Sequence, residues 1–180
     1  MENRIMCAGV GGQGILTLGM VIAQSAASQG KNVTYIPEYG GSMRGGQSTV
    51  KIKVSDETII NPFMESFNVL VALDEGQLQQ FIGGLEKDGF LIVERDLVPN
   101  LPETPGCTVL RIPAVHIANE LGNPRGMSLV VVGAIIATTD MFPLDVATNA
   151  VVSYFEQKHI PVEKNKAAFI AGYNYIKEQI

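Results

Sequence analysis

The chain has 180 residues, of which 46% are hydrophobic and 17% charged, with a formal net charge of −5 and a pI near 5.0. That length suits one domain over residues 1–180, able to bury ~70% of the surface an unfolded chain exposes. The acidic balance argues against nucleic acid as a partner, since affinity there depends on neutralising phosphates with many Lys and Arg.

Met1-Glu2-Asn3-Arg4 leads straight into an expected first strand, Arg4 to Ala8, leaving no room for a signal peptide. Directly behind it stands Gly9-Val-Gly-Gly-Gln-Gly14, with the G-x-G-x-x-G spacing on Gly9, Gly11 and Gly14. A helix is expected from Gly14 to Gln29, with Ile15, Leu18, Val21 and Ile22 in its apolar stripe and Gly19, Ala23 and Ala26 as a close-packing flank. Gly30 stands where a C-cap glycine belongs. A glycine turn between a strand and a helix allows positive φ and close approach of amides, and the helix then directs unpaired N–H groups at an anion. The same turn also serves as a tight packing corner that binds nothing. Gln13 is its amide handle.

Asn32 to Ile36 is expected as the second strand, with Pro37 excluding it from the middle of a sheet. Residues 38–48 are expected as a glycine-rich loop, long enough to carry function. Within it, Glu38 lies 24 residues past Gly14, where a ribose-binding acid would stand, or is a solvated loop carboxylate. Arg44, ahead of Gly45 and Gly46, is placed to grip a phosphate or carboxylate, or to order the loop or an interface. Thr49 to Ser55 alternates, with Val50, Ile52 and Val54 on one face and Lys51 and Lys53 on a wet one, as in an antiparallel strand. A turn at Asp56-Glu57 is expected to lead to a short partner strand at 58–60.

Phe67 to Leu73 reads as a strand buried on both faces, with Asp74 capping a helix from Glu75 to Ile82. Two more strands are expected at Phe90–Val93 and Thr108–Ile112, then a short helix from Ala114 to Leu121 in which His116 packs. Arg125 falls in the turn after it. Met127 to Thr138 is apolar nearly all round, and its length favours a buried helix over a strand. Helices follow at Leu144–Gln157 and from Pro161 to Lys177, whose Phe155, Phe169, Tyr173 and Ile176 are a candidate homodimer surface for the isolated chain. The apolar run Leu129–Ala137 is far short of the ~20 residues of a membrane span. Cys7 and Cys107 read as buried thiols of a cytoplasmic protein, and neither cysteine nor histidine falls in a metal-ligand spacing. The alternation of strands and helices implies an α/β, single-domain, Rossmann-like three-layer fold with a mixed, mostly parallel sheet.

Three stretches carry a family resemblance: Gly9 to Gly14; the loop from Glu38 through Arg44-Gly45-Gly46 into Val50; and Asn123-Pro-Arg-Gly-Met-Ser-Leu-Val-Val-Val-Gly-Ala134. The chain resembles the gamma subunit of the 2-oxoacid:ferredoxin oxidoreductases, the pyruvate, 2-oxoisovalerate and 2-oxoglutarate family. That resemblance implies oxidative decarboxylation of a 2-oxoacid, with 2-oxoglutarate favoured over branched-chain acids. It implies partners as well: alpha and beta subunits holding thiamine diphosphate and magnesium, iron–sulfur clusters on beta or delta parts, and ferredoxin as acceptor. Coenzyme A would be enclosed at this chain by Gly9, Gly11, Gly12, Gln13, Gly14, Glu38, Arg44, Gly45 and Gly46, with no cofactor carried here and no catalytic residue. The alternative is a stand-alone nucleotide- or NAD(P)-binding Rossmann-like protein.

Overall fold

The computed structural model describes residues 2–40, 46–104 and 106–180. Among the described residues six strands form one sheet: β1 (Glu2–Val10), β2 (Asn32–Tyr39), β3 (Gln47–Ser55), β4 (Phe67–Ala72), β5 (Leu85–Glu94) and β6 (Thr108–Ile112). Their spatial order is β2-β3-β1-β4-β5-β6. The β1–β4, β4–β5 and β5–β6 pairs are parallel, and β3 runs antiparallel to β1 and β2 on either side. The expected mixed, mostly parallel α/β architecture is what forms.

The helices are α1 (Ile15–Ser28), α2 (Glu75–Phe81), α3 (Ala114–Glu120), α4 (Met127–Thr139), α5 (Leu144–Gln157) and α6 (Glu163–Lys177). Alternation along the central strands divides the apolar interior in two. Ile5, Cys7, Val69, Val71 and Ile92 face the core shared with α1, α3, α4, α5 and α6. Met6, Ala8, Leu70, Leu91 and Val93 face a smaller core closed by Leu78 of α2 and by Val98. Three layers result, one much heavier than the other.

Local chemistry sets the element ends. Asp74 caps α2 as expected, its Oδ1 accepting the Gln77 N–H at 3.0 Å. Gly30 takes φ +72° after α1, a left-handed value that favours glycine. Gly19 lets α1 lie on the sheet, since a Cβ there would sit 2.6 Å from Val50 Cγ1.

Several expectations are corrected. β2 continues past Pro37 to Tyr39, possible because β2 is an edge strand and the proline N needs no partner there. No strand forms at 58–60, because β3 already has β2 on one side and β1 on the other. Lys53 is not on a wet face: it is 8% exposed, and its Nζ donates to the Asn61 carbonyl at 2.8 Å. His116 does not pack; it is exposed and lies 3.3 Å from Glu120 one turn on. Cys107 precedes β6 and is only half-buried. Phe155, Phe169 and Ile176 are buried inside the chain, so they supply no homodimer surface. Among the described residues no helix is long and apolar enough to cross a membrane.

Candidate functional site

The carboxyl end of β1 turns at Gly11 to Gly14 into the first turn of α1. Gly12 (φ +101°) and Gly14 (φ +77°) take left-handed backbone, which any other residue would adopt only under strain. Gly14 is also a point of close approach: a Cβ there would lie 2.9 Å from Ser128 Cβ, at the start of α4. Gly9 leaves space of another kind, because a Cβ would strike Gln13 Oε1.

That Gln13 amide is fully engaged by the chain itself. Its Oε1 accepts the Val10 N–H at 2.8 Å, and its Nε2 donates to the Leu73 carbonyl at 2.8 Å. The side chain thus bridges the ends of β1 and β4 underneath the turn. Above it the Gln13 N–H donates to the Val10 carbonyl at 3.2 Å, which closes the turn.

α1 begins without a side-chain cap and without an acidic residue in its first turn. The N–H groups of Ile15, Leu16 and Thr17 precede the first intrahelical bond, in which the Leu18 N–H donates to the Gly14 carbonyl at 2.9 Å. Among the described residues no side chain caps this positive end of the helix dipole. Opposite it stand the end of β2 and the start of β3, joined by a bond from the Gly40 N–H to the Gln47 carbonyl at 2.9 Å. The Gly11 N–H donates to the Gly46 carbonyl at 2.8 Å, tying the two glycine-rich segments together.

Between these walls lies a cleft of about 580 Å³. Gly11, Gly12, Gly14, Ile15, Leu16 and Thr17 form one side; Tyr39, Gly40, Gly46, Gln47 and Ser48 form the other. Its volume is that of a pocket for a cofactor-sized molecule. Tyr39 stands 73% exposed at the mouth, beside the partly exposed Leu16. Amides offer an anion its donors, and the tyrosine and leucine offer apolar contact.

The structure brings Gly11, Gly12, Gly14 and Gly46 to this cleft. Gly9 and Gln13 support it from beneath. Glu38 is exposed, and its Oε1 accepts from Lys51 Nζ at 3.1 Å, outside the lining. Arg44 and Gly45 lie outside the described residues. Tyr39, Gln47, Ser48 and the apolar first turn of α1 are lining residues that the glycine spacing does not announce. The alternation through Pro37 to Tyr39, one strand long, is the signal that would have found Tyr39.

Other candidates settle into structural roles. Arg125 is exposed in the 3-10 turn before α4. Glu94 is fully buried and holds three main-chain donors: Asp96 and Leu97 at 2.7 and 2.8 Å, and Val115 at 3.2 Å. It thereby joins the end of β5 to the first turn of α3. Cys7 is buried in the main core, and burial pushes its thiol far above the usual range.

The model of the pyruvate ferredoxin/flavodoxin oxidoreductase family matches residues 4–175. The chain is 31% identical over 188 residues to the 2-oxoglutarate synthase subunit KorC of Methanothermobacter marburgensis, covering 99% of this chain and 98% of that one. It is also 31% identical over 136 residues to the ketoisovalerate oxidoreductase subunit VorA of the same organism. There the match takes in 76% of this chain but only 28% of VorA, so the chain spans less than a third of that relative. The crystal structure of a keto/oxoacid ferredoxin oxidoreductase gamma subunit from Geobacter sulfurreducens superposes with a TM-score of 0.82 at 27% identity. It is covered over 98% of its length by 97% of this chain. Strand pattern, glycine turn and relatives agree: the chain belongs to the pyruvate ferredoxin/flavodoxin oxidoreductase family, as a gamma-type subunit.

Proposed function

We propose that this chain, acting as one domain over residues 1–180, is the gamma subunit of a thiamine-dependent 2-oxoacid:ferredoxin oxidoreductase of the cytoplasm. It completes the coenzyme A side of an active site whose thiamine diphosphate, magnesium and iron–sulfur clusters sit on alpha, beta or delta partners. The observation that carries this reading is the cleft where uncapped α1 meets the β2–β3 ends. Coenzyme A presents phosphates for the amides and a long, flexible apolar stem for Leu16 and Tyr39, while Arg44 adds a forked cation from the adjoining segment. Held on a partner, thiamine diphosphate would supply the decarboxylation chemistry with ferredoxin as electron acceptor, while this chain would hold coenzyme A in place as the acyl acceptor. The 2-oxoacid in this proposal is 2-oxoglutarate, supported by the end-to-end match to KorC, whereas VorA matches over part of its length.

Variants of the assembled enzyme test it. Arg44→Ala removes the cation, and Thr17→Glu sets a carboxylate at the positive end of α1. Each is expected to raise KM for coenzyme A about tenfold, a loss of roughly 1.4 kcal/mol of binding, with the complex intact. Unchanged KM and unchanged assembly in both variants would overturn the reading.

A further inference from the structure

Between β3 and β4, residues 56–66 form an irregular segment that displays large apolar side chains. Ile60 is 94% exposed and Phe63 69% exposed. The segment is anchored firmly: buried Lys53 donates to the Asn61 carbonyl at 2.8 Å. Asn61 Oδ1 accepts the Phe63 N–H at 3.0 Å, and Ser55 Oγ accepts the Glu57 N–H at 3.0 Å. Met64 packs into the smaller core beside Phe67 and Leu70. Lys53, which also lines the hollow beside Phe63, thus holds in place a segment whose largest apolar side chains face outward.

The segment leaves β3 at Ser55, which pairs with Glu2, so it lies at the start of β1. The glycine turn lies at the other end of that nine-residue strand, about 30 Å away. The two features thus lie at opposite ends of β1, and contact at one does not require contact at the other. A hollow of about 290 Å³ opens beside Phe63, and its charged lining is Glu2, Arg4, Lys53 and Glu65; Arg4 is paired with Glu86 and Lys53 bonds the Asn61 carbonyl.

Charge selects the occupant. Residues 56–66 contain Asp56, Glu57 and Glu65 and no Lys or Arg. Asp56 pairs with Lys31 at 2.5 Å, whereas Glu57 and Glu65 are exposed with no ion-pair partner among the described residues. A second copy docking across a two-fold axis would set these carboxylates against themselves. An anionic lipid surface would repel them equally. In VorA the matching unit is 28% of a longer chain, so there a different stretch of protein is tethered beside it.

We propose that residues 56–66 are a second docking surface, seating Ile60 and Phe63 in an apolar hollow with a basic rim on a non-identical subunit of the same enzyme. The proposal rests on the subunit reading above, and it makes this chain a bridge held at both ends of its sheet. The test uses the complex co-expressed with its other subunits, weighed by native mass spectrometry and titrated for assembly. Ile60→Ser/Phe63→Ser is expected to weaken incorporation at least tenfold and leave the melting temperature of the free chain unchanged. Glu57→Lys/Glu65→Lys is expected to weaken it about fivefold. Wild-type incorporation of both variants overturns the proposal. So does a wild-type free dimer that the serine variant turns monomeric, or vesicle binding that the serine variant abolishes. If the wild-type chain joins no thiamine-dependent complex, the subunit reading itself fails. If it joins one and only the loop variants behave as wild type, this proposal alone fails.

Discussion

Gln13 shows how one side chain can carry a motif without serving its ligand. The spacing marks it as an amide presented to a bound molecule, yet both of its polar ends are bonded to Val10 and Leu73. The Val10 bond is local, but nothing local signals the second one, because Leu73 is 60 residues away in sequence. Removing the side chain leaves a half-buried N–H and carbonyl without partners. Gln13→Ala is expected to lower stability by about 2–3 kcal/mol in urea titration. Gln13→Glu keeps the acceptor and loses the donor, so it should fall between that variant and wild type. The glycines around it were more legible, since positive φ at Gly12 and Gly14 is what the absence of a Cβ permits. Glu38 was legible as a carboxylate at the right count from Gly14, but only the fold shows Lys51 holding it.

At the scale of elements, α4 is buried at every one of its 13 positions. Its sequence is apolar all round, which is why periodicity alone left helix and strand in competition and length decided for helix. What the sequence did not disclose is how α6 meets it. Gly133 and Gly172 face the opposing backbones so closely that a Cβ at Gly172 would overlap the Val130 carbonyl. Alanine raises intrinsic helix propensity by about 1 kcal/mol over glycine, but overpacking against main chain costs more. Gly172→Ala is therefore expected to be net destabilising by about 3 kcal/mol, read from the denaturation midpoint. Gly83→Ala, with open space around it, should stay within about 0.5 kcal/mol of wild type. The strand expected at 58–60 failed for a reason visible only in the assembled sheet: both sides of β3 were taken.

For the whole molecule, the strand order separates this fold from a dinucleotide-binding one. In the order 3-2-1-4-5-6, the strand bearing the ribose-binding acid lies beside β1. Here β3 is wedged between β1 and β2, which carries Glu38 one strand farther from the glycine turn. Titrating NADH with the isolated chain is accordingly expected to leave its fluorescence unchanged, and a saturable shift would revive the nicotinamide reading. The alternation of strands and helices made the fold class legible, along with most element positions. The cleft was half legible, because its glycine wall is a local motif while its Tyr39–Ser48 wall arises from the pairing of β2 with β3. The enclosure of α4 has a last consequence for how the chain ages. A single proteolytic nick in the 158–162 linker that released α6 would bare one greasy face of a rod about 20 Å long, so the clipped remnant would be drawn toward aggregates in place of a trimmed but working subunit.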